Sequence, residues 1–318
     1  MYRKNKPEVL CFIAVLAVAV FFRFYSLNTV SLQVIVSIAT IAILYALVRY
    51  IFNWETAAIS SFLLAISPWH VHFSNTELNV IALPFIVILS FYFLWHGLRH
   101  GHLVNFLFAG GIAGLGAFAG PAFIIAPLVA GLTFVNYWSY VKTDFSLSRY
   151  KDLISKSYRG FLFYIVTLVT VAPIIGFWSL KTLRTVPEGL DITLISWPLL
   201  IFFALGLINE FIHWIKRKHG HFSTVHTFIL SWLVIASFPI STSAETYRSL
   251  IAIPIIAIFS AKGLLWLIDK ISDWYGLHDP HYYTNKLRLK HEATIIKAIT
   301  IVLFLASLGL FEFNNLFR

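Results

Sequence analysis

The chain has 318 residues, 59% of them hydrophobic and 12% charged, with a mean hydropathy of +0.80. A soluble domain is about 45–50% apolar and about 25% charged, so an ordinary water-soluble enzyme is excluded and most of this chain has lipid for a solvent. The net charge of +10 does not argue for a nucleic-acid partner, because the basic residues fall in short stretches between apolar runs, where they set membrane topology.

Only helices satisfy every backbone group in such a setting, since open strand edges have no partner in hydrocarbon. Apolar windows predict eleven helical segments, at about 9–27, 31–52, 56–69, 77–98, 103–118, 121–140, 159–180, 191–214, 224–240, 247–268 and 294–313. The first, MYRKNKPEVLCFIAVLAVAVFF, has the basic head of a signal peptide. No small-x-small cleavage site follows, and Arg23 closes the run, so a retained span is predicted. Cys11 inside it is the single cysteine, which excludes an internal disulfide or a thiolate metal cage.

The segments at 56–69 and 103–118 are short for a bilayer and are expected as tilted, partial or re-entrant helices. Gly110, Gly111, Gly114, Gly116 and Gly120 lie in or beside the second of these, where small residues permit close helix packing. The longest polar interval, 269–293, mixes aromatic and basic residues and reads as a cytoplasmic segment resting at the headgroups. With no fixed-period repeat, residues 1–318 are expected to form a single polytopic all-α bundle.

A cytoplasmic N-terminus puts all Lys and Arg on the inner side except Arg23, Lys181, Arg184, Arg248 and Arg318, that is, 19 of 24. Such a bias predicts this orientation, in a multi-pass protein of the cell membrane. The few polar residues on the outer side then gather at span mouths. They are Arg23; His70, His72, Asn75, Glu77 and Asn79 in SPWHVHFSNTELNV; Lys181, Arg184, Glu188 and Asp191; and Glu245, Tyr247 and Arg248. Ionisable groups at membrane depth are costly and point to function, although wetted loop residues have the same composition. Glu77 follows the capping residues Ser74, Asn75 and Thr76, where a helix dipole favours a carboxylate. Arg248, entering an apolar helix, calls for an anion, either Glu245 or a phosphate.

The histidine pairs His96/His100, His70/His72 and His278/His281 invite a metal reading, but no acidic partner is expected at helical spacing inside a span, so no metal is predicted. No nucleotide-loop, serine-hydrolase, zinc-protease or dinucleotide motif is present.

The run RYIFNWETAAISSFLLAISPWHVHFSNTELNVIALPFIVILSFYFLWHGLR resembles the third and fourth spans of membrane glycosyltransferases of the GT-C superfamily. Within it, the similarity is to the dolichyl-phosphate-mannose protein mannosyltransferase-like branch (glycosyltransferase family 39-like), where a short helix ends in SPWH, continues as FSR and leads into a helix carrying LPF. Arg23 in FFRFYSL is similar to the end of that family's first span, and ETYRSLIAIPIIAIFSAKGL to its late outer loop. The likeness covers roughly residues 9–140 and 235–268.

The resemblance implies transfer of a sugar from a polyprenyl-phosphate carrier to an acceptor hydroxyl at the outer face, with inversion and no cofactor. The partners it implies are membrane lipid, the carrier and an acceptor of unspecified kind. An acid would act as base and cations would hold the departing phosphate. On this chain Glu77 is the expected base, with Asp191 or Glu245 as alternatives. Arg248, Arg184, Arg23 and Tyr247 are expected on the phosphate and carrier, and His70, His72, Asn75 and Asn79 on the cavity rim. The chain departs from the family where a long first outer loop should carry the main acid: its first span ends near Leu27 and its second begins near Leu32. Asn75 also stands where relatives have the arginine of FSR, and Asn79 where many have an acid. Two further readings follow: a catalytically inactive relative that binds lipid-linked sugar or a partner protein, and a small-molecule transporter, which would want inverted halves.

Overall fold

A computed structural model of the chain describes residues 6–25, 31–74, 78–119, 121–144, 147–179, 196–216, 221–237, 245–278 and 286–316. Among these residues every regular element is helical. In chain order they are α1 (Lys6–Phe24), α2 (Leu32–Ile51), α3 (Trp54–Ile66), α4 (Pro68–Phe73), α5 (Leu78–His100), α6 (Leu103–Leu115), α7 (Ile125–Asp144), α8 (Leu147–Ser179), α9 (Trp197–Lys216), α10 (His221–Ser237), α11 (Glu245–His278) and α12 (Lys286–Leu316). Two 3-10 turns, Gly116–Ala119 and Pro121–Ile124, join α6 to α7. Among the described residues, eight helices are long and apolar enough to cross a bilayer.

Where the predicted segments fall on described residues they are helical, with two differences of local cause. The segment at 56–69 is two helices, because Ser67 is extended (φ −60°, ψ 122°) ahead of Pro68, which opens α4. Proline disfavours helical backbone in the residue before it and suits the first helical position, where no N–H is needed. SPWH therefore begins a short helix instead of ending one. Secondly, α8, α11 and α12 run well past their apolar windows, with α11 and α12 entering the polar interval at 269–293 from both sides.

Ion pairs fix which helix ends lie together. Glu8 at the start of α1 accepts from Arg49 at the end of α2 (2.6 Å). Lys297 of α12 lies 2.6 Å from Asp269 of α11 and 3.7 Å from Glu55 of α3. One end of the bundle, the Glu8 end, thus carries paired charges, and Arg23, at the far end of α1, marks the other. Glycines set the closest helix contacts. A Cβ on Gly206 of α9 would meet the carbonyl oxygen of Phe259, and one on Gly263 of α11 that of Phe202. A Cβ on Gly110 of α6 would strike Thr167 and the Tyr164 backbone of α8, and one on Gly114 would meet Val171, so packing explains those two glycines, whereas Gly111 has open space.

Candidate functional site

At the far end of α1 a cation is enclosed by three other elements. Arg23 is 0% exposed. Its Nε donates to Ser37 Oγ of α2 (2.5 Å), its Nη1 to the carbonyls of Ala19 (3.0 Å) and Ala65 (3.1 Å), and its Nη2 to His70 Nδ1 (2.6 Å). The break at Ser67 makes this arrangement possible, because ending α3 there turns α4 so that His70 faces α1. Among the described residues no carboxylate lies within 4 Å of Arg23. Burial, and then the Arg23 charge, push His70 well below the ordinary imidazole range. His70 Nε2 is buried and has no partner among the described residues.

Sequence alone puts His70 on a cavity rim and Arg23 on a phosphate. The structure instead encloses both, each 0% exposed, with Arg23 occupied by protein groups. His72 is partly buried against the edge of Phe73 (5.2 Å), and burial lowers its pKa as well. Asn79 is the second residue of α5 and partly exposed. Glu245, Tyr247 and Arg248 lie in the first turn of α11. That turn belongs to the Arg23 end, since α11 passes Ser67 near Ile253 and reaches the Glu8 end at Asp269. Asn75, Glu77, Arg184 and Asp191 fall outside the described residues.

Beside the α3–α4 break lies a small apolar dimple of about 20 Å³, lined by Leu63 and Ser67, by Leu199 of α9, and by Ile253, Ile256, Ala257 and Ser260 of α11. One buried acid lies at this end: Glu312 of α12, 1% exposed, beside Ser196 and Asn315, with Phe313 packed on Phe22 (5.9 Å) and Tyr25 (4.9 Å). Sequence reading passes over it, although a lone acid in FEFNN is a visible signal.

The expectation that no acid stands at helical spacing inside a span is corrected. Glu210 lies within α9, 1% exposed, three residues before His213. It pairs with Lys262 of α11 and with His226 Nδ1 of α10, while Lys262 Nζ lies over the Phe52 ring (4.2 Å). This cluster ties three helices together, and among the described residues no group of three metal-ligating side chains is assembled.

The all-helical architecture, with eight helices long and apolar enough to cross a bilayer among the described residues, defines a polytopic membrane protein. More particularly, residues 5–146 match the family model of the dolichyl-phosphate-mannose-protein mannosyltransferases. Among solved structures the chain is similar to the Archaeoglobus fulgidus oligosaccharyltransferase. For its complex with Zn and sulfate the TM-score is 0.50, at 16% identity over 82% of this chain and 41% of that one. For its apo form the TM-score is 0.50, at 15% identity over 94% and 47%. At such identities the likeness is one of fold, and this chain spans less than half the length of those structures. No curated protein matches.

Proposed function

We propose that this protein transfers a sugar from a polyprenyl-phosphate carrier to an acceptor hydroxyl at the extracytoplasmic face of the cell membrane, with inversion. The observation that carries this reading is the enclosed Arg23–His70 pair at one end of the bundle, a buried cation with no carboxylate within 4 Å among the described residues. A buried positive charge without a carboxylate partner favours an anion such as a lipid-linked phosphate nearby.

In the proposed step Glu77 takes the acceptor's hydroxyl proton, the oxygen attacks the anomeric carbon, and the bond to phosphate breaks with its electron pair on the phosphate oxygen. Asp191 and Glu245 are the alternative bases. Arg248, assisted by Arg184 and Tyr247, neutralises the charge that grows on the leaving group, while Arg23 acts from behind the wall.

The test is sugar transfer in phosphatidylcholine bilayers supplied with polyprenyl-phosphate sugar, comparing parent and Glu77→Gln. Loss of a positioned base lowers the rate about 10²–10⁴-fold. Equal turnover in both removes Glu77 from the mechanism, and no turnover in either, with the carrier still bound, leaves the inactive, sugar-lipid-binding reading. That second reading has an observation of its own: α1 ends at Phe24 and α2 begins at Leu32, so the family's long first outer loop has no room.

A further inference from the structure

His70 holds one buried hydrogen without an acceptor. A guanidinium has donors only, so the 2.6 Å contact from Arg23 Nη2 makes His70 Nδ1 the acceptor and puts the ring's proton on Nε2. An imidazolium at this place would aim a second N–H at the guanidinium, so the neutral tautomer is locked by geometry. Ser37 Oγ lies on the same side, 3.4 Å from Nδ1, and offers nothing to Nε2. Nε2–H is therefore a fixed donor in a residue that is 0% exposed, with no partner among the described residues. A protonated ring nitrogen has no lone pair for a metal, and the neighbouring Arg23 charge repels cations. An anionic oxygen fits both conditions.

We propose that His70 Nε2–H binds a phosphate oxygen, and that Arg23 is a positioning residue acting through His70 by fixing its tautomer. That the phosphate belongs to a lipid carrier rests on the proposed function. The pairing goes further than a generic cationic site, because a neutral imidazole binds the leaving phosphate without becoming its acid. As the bond to the anomeric carbon breaks and charge builds on phosphate, the N–H···O hydrogen bond strengthens with no proton transferred.

The test is magic-angle-spinning NMR of ring-¹⁵N-histidine protein in phosphatidylcholine bilayers, with His70 assigned from the spectrum of His70→Gln. Between about pH 5 and 8, His70 is expected to show a protonated Nε2 and a bare Nδ1, where a free histidine would titrate near 6.5. Proton occupancy on Nδ1, or titration in that range, overturns the lock. Farnesyl phosphate and inorganic phosphate are then added separately. A shift of the Nε2 signal with farnesyl phosphate alone assigns the site to lipid-linked phosphate, a shift with both assigns it to phosphate in general, and no shift with either overturns the proposal.

Arg23→Gln is expected to release Nδ1 and give mixed tautomers, which a purely structural arginine would not do. His70→Leu should weaken farnesyl phosphate binding about 10- to 100-fold, as loss of a hydrogen bond to a charged group does, while His70→Gln, which keeps an N–H, recovers most of it. None of these readouts needs turnover, so an inactive parent would refute the transferase reading and leave this one standing or falling by itself.

Discussion

A single side chain, His70, shows how far local sequence can mislead about place. In SPWHVHFSN it looks like a rim residue, polar among polar neighbours, but it is 0% exposed because Arg23, 47 positions earlier, uses its ring nitrogen. No pattern within a window carries that pairing. The same contact has a consequence for stability. Burial and Arg23 depress the folded pKa of His70, so the unfolded chain binds the extra proton first as acid is added. The stabilisation due to neutral His70 is then complete above about pH 6.5 and declines as pH falls from there. His70→Gln removes this dependence. Between about pH 7 and 5 the parent should lose more of its Tm than His70→Gln does in the same micelles. An equal or steeper loss in the variant would show that the folded ring accepts a proton freely.

At the scale of elements, the interhelical contacts make two kinds of claim. Gly206 and Gly263 let α9 and α11 meet backbone to backbone, so an added methyl group has only carbonyl oxygen to push against. Gly206→Ala should cost about 1–3 kcal/mol by overpacking, whereas Gly131→Ala, with open space at its Cβ, should be neutral or gain up to about 1 kcal/mol from helix propensity. Thermal unfolding of the two variants side by side checks this, and equal losses would mean that α9 and α11 are not held this closely. The Glu210–Lys262–His226 cluster makes the second claim. Glu210→Gln takes the buried carboxylate from between Lys262 and His226 and should cost about 1–3 kcal/mol, while Glu210→Gln with Lys262→Met should recover part of that, a coupling readable by a double-mutant cycle.

Sequence shows these elements unevenly, for physical reasons. The apolar windows are helical wherever they fall on described residues, because hydropathy reports the slab that lipid must cover. It does not report helix length, so the polar start of α8 at LSRYKDLISKSYR is invisible to it. Glu210 and Glu312 escape for the converse reason: one charge scarcely moves the mean of a long apolar window, yet it is the most informative residue in it. The α3–α4 break, by contrast, is written in the dipeptide Ser67–Pro68.

For the molecule as a whole, the claim with the widest reach is which end of the bundle faces out. Glu8, Arg49, Glu55, Asp269 and Lys297 gather at one end as ion pairs, and Arg23, His70 and the apolar dimple lie at the other. If the lysine and arginine bias sets the topology, the Glu8 end is cytoplasmic and the Arg23 end meets the outer leaflet. That is the arrangement a transferase using an outward-facing lipid-linked sugar requires. With Cys11 as the chain's single cysteine, a Cys11→Ala background is free of thiols. Into it we place one cysteine at Ser31, ahead of α2 at the Arg23 end, or at His102, exposed between α5 and α6 at the Glu8 end. A membrane-impermeant maleimide on intact cells should label the Ser31→Cys protein, and should reach His102→Cys only after permeabilisation. The opposite pattern would put the enclosed arginine on the cytoplasmic side. Any sugar transfer would then have to draw on a carrier flipped inward, and the bias in basic residues would need another cause. Labelling of both in intact cells would mean that α2 to α5 do not cross as three passes, which the fold demands.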